Sequence, residues 1–223
     1  MTVYNILVAC DHIYYVDWAE HLLKSIHYHA PWVRLHCHIV NPQEFKKLGY
    51  VDYTFESISF TSEDSRIGYL QAVRFLVVAD KFNNDELVMT LDADTICTKT
   101  FTEQDLSLLF ESLHVLSRPK DFRWLAGLVT FDQSNFRQDF ANRLRDNPVS
   151  EWKIGCDQEV LVKLAETYNF TPVGVPWMAI GKTRVPTVFI TLKGNQKTID
   201  KYLSAFLKHR IKSEDTCNNN NLV

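Results

Sequence analysis

Short runs of Val, Ile, Leu and aromatic residues alternate along the chain with longer stretches in which apolar residues recur every three or four positions. The first run, VYNILVAC (3–10), stops abruptly at Asp11 and has the character of a buried strand. A helical pattern follows over 18–29, where Trp18, Leu22, Ser25 and Ile26 share one face and Asp17 with Glu20 resembles a capping box. Pro31 closes it, and RLHCHIV (34–40) reads as the next strand. Strand, helix, strand in this order is the rhythm of an α/β protein. The spacing further predicts a short helix over 43–48, a strand over 53–58, a long helix over 65–82 and a strong strand, ELVMTL, over 86–91. Beyond it come a helix over 103–112, a strand over 125–131, helices over 136–145 and 157–168, a strand over 187–192 and a terminal helix over 198–211. Neither a repeat nor a linker divides the chain, so the expectation is one α/β domain over 1–212 with a polar tail over 213–223.

Composition narrows the classes. The 223 residues are 46% hydrophobic and 23% charged, and 24 Lys and Arg against 27 Asp and Glu leave a net charge of -3, a poor match to a surface that tracks a polyanion. Seven Gly and seven Pro exclude a fibrous or disordered chain. No apolar run approaches the roughly 18 residues of a bilayer span. The opening MTVYNILVACD lacks a cationic leader and is expected to be a strand, not a signal peptide. Cys10, Cys37, Cys97, Cys156 and Cys217 are odd in number and never spaced as CxxC, which points to reduced thiols and a cytoplasmic setting.

The string LVMTLDADT (87–95) carries the chemistry. An apolar strand ends in Asp92-Ala93-Asp94, and ligands of open α/β sheets bind outside the carboxyl ends of strands. Two hard carboxylates two residues apart suit one Mg²⁺ or Mn²⁺ that leaves positions open for substrate phosphates, and the small Ala93 lets the backbone crowd that ligand. Thr95 extends the string to DxDxT, the signature of haloacid-dehalogenase-like phosphatases. That fold places the motif on its first strand and needs a later acidic pair. Here about ninety residues precede it, and the only later adjacent pair, Glu214-Asp215, lies in the tail.

A second resemblance reaches further. The chain resembles the family-8 retaining glycosyltransferases, the group that includes glycogenin and bacterial lipopolysaccharide galactosyltransferases. That likeness rests on Ala9-Cys10-Asp11 with Tyr14 or Tyr15 after the first strand, Tyr69 and Arg74 ahead of the DxD, Leu125-Ala126-Gly127, Asp157-Gln158, and TLKGNQKTI (191–199). It implies the GT-A fold, a central mixed and mostly parallel sheet flanked by helices, with a nucleotide-binding half over about 1–100 and an acceptor half over about 101–197. It also implies a nucleoside diphosphate sugar donor, UDP-linked in the family's manner, and a hexose passed with retention to a saccharide or protein acceptor rather than a nucleic acid. Ala9, Asp11 and Tyr14 would hold the nucleoside; Arg74, Asp92, Ala93, Asp94, Gly194 and Lys197 the diphosphate and its Mn²⁺ or Mg²⁺; Asp157 and Gln158 the sugar. Two positions depart from the family: Thr191 stands where it has a metal-binding His, and Leu125 where it has Asn. Thr191 is the third candidate metal ligand through its hydroxyl. Its presence also motivates a competing view, a non-catalytic nucleotide-sugar binder.

Each candidate has a plainer role to set beside this. Asp11 can cap a turn, Arg74 can serve a structural salt bridge, Lys197 can be a solvated turn lysine, and Asp157 can be a helix N-cap. His36 and His38 on one strand are expected to be structural, and Cys97 to have no direct role. PVGVPW (172–177) either walls an acceptor cleft or packs. The terminal helix puts Ile199, Leu203, Phe206, Leu207 and Ile211 on one face, a stripe that packs on the core or docks on a membrane surface.

Overall fold

A computed structural model of the chain describes residues 2–118, 123–132, 135–174, 176–180 and 186–191. Seven strands form the central sheet: β1 (Tyr4–Asp11), β2 (Arg34–Val40), β3 (Val51–Glu56), β4 (Leu87–Leu91), β6 (His114–Arg118), β7 (Arg123–Phe131) and β8 (Thr171–Val173), with β5 (Thr95–Cys97) outside it. Their order is β3-β2-β1-β4-β7-β6-β8. β1 to β4 pair in parallel, and β7 runs antiparallel to both β4 and β6. A smaller sheet joins β5 to β9 (Met178–Ile180) and β10 (Phe189–Thr191). The expected mixed, mostly parallel α/β sheet flanked by helices is what the chain forms.

Strand β1 shows why the sheet lies at the centre. Its residues alternate between two apolar clusters, Ile6, Val8 and Cys10 on one face and Leu7 and Ala9 on the other. A strand buried on both faces needs this nearly continuous apolar run. On the first face packs α2 (Glu20–His29), and on the second pack α3 (Glu63–Lys81), α5 (Phe136–Arg145) and α6 (Cys156–Leu164). Ser62 caps α3 by accepting the Ser65 N–H.

Two local expectations are corrected. The first helix is not capped at Asp17. Asp11 accepts the Tyr14 N–H and starts helical backbone directly after β1, with α1 (His12–Tyr14) running through a π-helical turn, Tyr15–Ala19, into α2. That turn buries Tyr15, whose hydroxyl meets the Tyr53 hydroxyl at 2.8 Å. The predicted helix over 43–48 does not form. Asn41 adopts φ 50 and clasps Ile58 with both its amide groups, while Phe45 turns into the Tyr15–Tyr53 rings. Aromatic burial outweighs helix propensity over so short a segment.

The remaining differences are of extent. The helix over 103–112 shortens to α4 (Glu103–Leu108), opened by a capping box between Thr102 and Asp105. Strands β5, β6, β8 and β9 were not marked by periodicity, three of them because three residues are too few to show a period. Residues 198–211 and the tail lie outside the described residues.

Candidate active site

Every charged group of interest on the central sheet lies where its strands end. Asp11 closes β1 and Asp92 follows β4, so both stand at the carboxyl edge, and α3 crosses behind them. With Ala9, Cys10, Tyr14, Ala93 and Asp94 they line a cleft of ≈ 270 Å³. Helix α3 adds Arg66, Ile67, Leu70, Gln71 and Arg74, a stripe whose spacing matches one helical face.

Arg74 organises the deepest part. It is 4% exposed, and its Nη2 lies 2.9 Å from the Ala126 carbonyl, 3.0 Å from Asp92 Oδ1 and 3.3 Å from Asp157 Oδ2. One guanidinium therefore fixes two carboxylates from different elements. Asp92 is held from below as well: its N–H donates to the Gly127 carbonyl at 3.0 Å. A Cβ on Gly127 would stand 3.0 Å from Asp92 Oδ2 and 3.3 Å from Leu116. The Ala126-Gly127 pair thus supports the acidic strand end, through a carbonyl and through an absent side chain. Leu125 beside it is buried in the core.

Asp94 is held differently. Thr191 of β10, wholly buried, donates its hydroxyl to Asp94 Oδ1 at 3.2 Å. The antiparallel register of β5 and β10 sets Thr191 opposite Thr95, which delivers the hydroxyl there. Asp11 is engaged on both oxygens, by the Tyr14 N–H at 2.8 Å and by Arg66 Nη1 at 2.6 Å. Arg66 is in turn gripped by both oxygens of Glu63.

Asp157 and Gln158 open α6. Asp157 is buried with Arg74 and accepts the Gln158 N–H at 2.8 Å; neither residue is among those lining the cleft, and Gln158 is half-buried. Their placement depends on two glycines. A Cβ on Gly68 of α3 would meet the Lys153 backbone N at 2.7 Å, so only glycine lets the 152–153 segment lie against the helix. Gly155, with φ 87, turns the chain into α6 and gives its N–H to Gln71 Oε1 at 2.9 Å. The structure thus gathers Ala9, Asp11, Tyr14, Arg74, Asp92, Ala93, Asp94 and Thr191, with Asp157 bound behind Arg74. Gly194 and Lys197 lie outside the described residues.

Sequence reasoning missed Arg66, Gln71, Gly68 and Gly155. The available signal was the helical stripe that Arg66, Leu70 and Arg74 share. His36 and His38 bond to Asn5 and Thr54 across the sheet. Burial pushes the Cys97 thiol up to about 12, and the Lys99 carbonyl only partly offsets it, which leaves the thiol inert. Of the aromatic loop, Pro172 lies in β8 and Trp177 packs edge-on against Phe101 at 5.7 Å.

Among the described residues three carboxylates line the cleft against two guanidinium groups, and Asp157 adds a fourth negative charge behind Arg74. An excess of negative charge there favours a cation that accompanies an anionic ligand. Among the described residues no three His, Cys, Asp or Glu side chains converge as a closed metal site. The donors present are hard oxygens, as suits an ion that keeps waters and takes ligand phosphates. Among the described residues no helix is long and apolar enough to cross a membrane.

No family model and no curated protein matches the sequence. Solved structures do match. An active-site mutant of LgtC aligns with a TM-score of 0.66 at 11% identity, over 93% of this chain and 95% of that one. The fold is GT-A. A second GT-A structure, the galactosyltransferase LgtC in complex with donor and acceptor sugar analogs, aligns at 0.58 and 13% identity over 85% and 87%. The bifunctional glycosyltransferase WbbM in its apo form aligns at 0.60 and 12% identity, over 86% of this chain and 46% of that one. These identities carry the GT-A architecture and leave the chemistry to be argued from the cleft.

Proposed function

We propose that the chain is a metal-dependent glycosyltransferase that moves a hexose from a nucleoside diphosphate sugar, UDP-linked by its family-8 resemblance, to an acceptor hydroxyl with retention of configuration. The observation that carries this reading is the pair Asp92 and Asp94 at the carboxyl edge of a GT-A sheet, in a cleft that, among the described residues, holds more carboxylates than guanidinium groups. The first hundred residues or so hold the donor, and 101–197 face the acceptor, a saccharide or a protein. The buried free thiols Cys10, Cys37 and Cys97 fit a reducing, cytoplasmic setting.

In this mechanism Asp92 and Asp94, assisted by the Thr191 hydroxyl, hold Mn²⁺ or Mg²⁺. Such an ion, when bound, neutralises the charge that grows on the departing diphosphate. The protein's own part is preorganisation. Arg74 keeps Asp92 from swinging away and ties it to Asp157 at the opening of α6; Asp157 and Gln158 are assigned to the sugar by the family-8 resemblance. Asp11 and Tyr14 face the nucleoside, with Ala9 and Ala93 small enough for close approach. Gly194 and Lys197 are assigned to the diphosphate. Because the positioning bonds are made before the donor arrives, little reorganisation is left for the transition state.

Asp94→Asn tests this. The amide oxygen still accepts from Thr191, so the variant folds, yet donor hydrolysis and sugar transfer fall about 10²–10³-fold. Turnover unchanged in this variant, or after removal of divalent ions by a chelator, refutes the metal role. Donor binding with no turnover by the unaltered protein establishes the non-catalytic binder instead.

A further inference from the structure

We propose that the cation centre of this cleft is an all-oxygen site backed by two threonine hydroxyls, which takes a hard ion of the Mg²⁺ class and gives a nitrogen-preferring ion such as Co²⁺ no added advantage. This rests on the metal role assigned above to Asp92 and Asp94.

The small sheet supplies the argument. Thr95 and Thr191 are direct cross-strand partners, and such partners point to the same face. Thr191 reaches the Asp94 carboxylate from that face, with its Oγ1 3.2 Å from Oδ1 and 3.5 Å from the Asp94 carbonyl oxygen. Thr95 is also wholly buried, and its Oγ1 has no hydrogen-bond partner among the described residues. A buried hydroxyl left unpaired is costly, so an oxygen-rich ligand shell beside Asp94 gives it a purpose. Among the described residues no histidine lines the cleft, and LKGNQKTID (192–200), which continues from Thr191 in sequence, contains neither His nor Cys. Cys10 does line it, but a hydrogen bond with Cys37 and burial hold its thiol well above the ordinary value, so it is a poor ligand. Carboxylate, hydroxyl and water suit Mg²⁺, whereas imidazole nitrogen is what favours the later transition metals.

Calorimetric titration of Mg²⁺ and of Co²⁺ into the full chain saturated with uridine diphosphate, set against uridine diphosphate alone, decides it. Mg²⁺ is expected to bind at least about tenfold more tightly to the complex than to the free nucleotide, while the Co²⁺-to-Mg²⁺ affinity ratio stays within about threefold of the free-nucleotide ratio. Thr191→His raises that ratio about tenfold or more and shifts the visible Co²⁺ absorption toward nitrogen ligation. Thr191→Val, of similar size, weakens Mg²⁺ roughly 2–10-fold without changing metal-free nucleotide binding. A ratio already raised in the unaltered protein, with Mg²⁺ binding tightened, overturns the all-oxygen proposal alone. Nucleotide binding with no tightening of either ion overturns the metal role of Asp92 and Asp94 as well. Both readings come from the unaltered protein and stand even if the histidine variant does not fold.

Discussion

The two ends of the central sheet solve the problem of buried polar groups in opposite ways. Toward the amino ends, β1, β2 and β4 share a neutral ladder. The Asn5 amide donates to the Leu87 carbonyl at 3.1 Å, and its Oδ1, 2.9 Å from His36 Nε2, accepts from that ring. At the carboxyl ends the same strands carry Asp11 and lead into Asp92, with Arg66, Arg74 and Asp157 against them, and the Arg74 Nε has no hydrogen-bond partner among the described residues. Desolvating ions costs several kcal/mol each at order of magnitude, so a cluster of them needs a reason. The amino end buries one charge too, Arg137, but its guanidinium gives its N–H groups to the carbonyls of Asn83, Glu86 and Asp132; the clustering of carboxylates with guanidinium groups marks the carboxyl end as the working end.

The sharpest way to break that contrast is Arg74→Met. It fills similar space but strands Asp92 and Asp157 without their shared cation, and removing one partner of a buried ion set costs about 3–5 kcal/mol. Urea denaturation should show a loss of that size. Arg74→Lys should fall between, because an ammonium keeps the charge but is more strongly hydrated than a guanidinium, and costs more to bury at the point where Nη2 meets all three oxygens. A loss within about 0.5 kcal/mol for Arg74→Met would mean that the carboxyl end is ordinary surface.

A smaller effect comes from steric fit. Gly68→Ala puts a methyl 2.7 Å from the Lys153 backbone nitrogen and 2.9 Å from its carbonyl oxygen, and backbone must shift to admit it. Overpacking of this kind costs about 1–3 kcal/mol, or roughly 2–10 °C in Tm. Because the displaced segment leads through Gly155 into Asp157, donor KM should rise together with the stability loss. Thermal unfolding with an unchanged KM would show that α6 is placed independently of this crossing.

How much of this was legible beforehand follows from what each feature depends on. Asp92 and Asp94 stood out because a continuous apolar run ends in them, and strand burial and ligand chemistry both show in local sequence. Helix α5 was read over its observed span, 136–145, because ten residues give nearly three turns of pattern. The Asp11–Arg66 pair was invisible, since it joins residues 55 apart through the facing of α3 on β1. Thr191 was brought beside the DxD by the family-8 resemblance, and a three-residue strand that returns there makes its contact with Asp94. Gly68 is a contact with backbone, and no residue pattern encodes it. Local chemistry could be read directly; long-range placement could be read only where the family-8 resemblance supplied it, as for Arg74 and Thr191.

The smallest predicted effect probes the neutral end. Burial is the main influence on His36 and holds its imidazole below the ordinary value of 6.5; Asp52 and Glu86 pull it up and Arg34 pushes it further down. A group with a depressed folded-state pKa contributes stability above its unfolded value and loses it as pH falls through the folded one. The imidazole is therefore an acid-sensitive point: between about pH 7.5 and 5 the protein should lose Tm, and His36→Gln, which keeps an N–H for Asn5, should lose less over the same range. The ring's edge contact with Phe82, 4.8 Å between centroids, is lost in that variant, so its Tm at neutral pH will be lower. The slope against pH is the informative quantity. Equal slopes would show that His36 charges freely while folded, and the neutral ladder would then no longer distinguish the scaffold end from the working end.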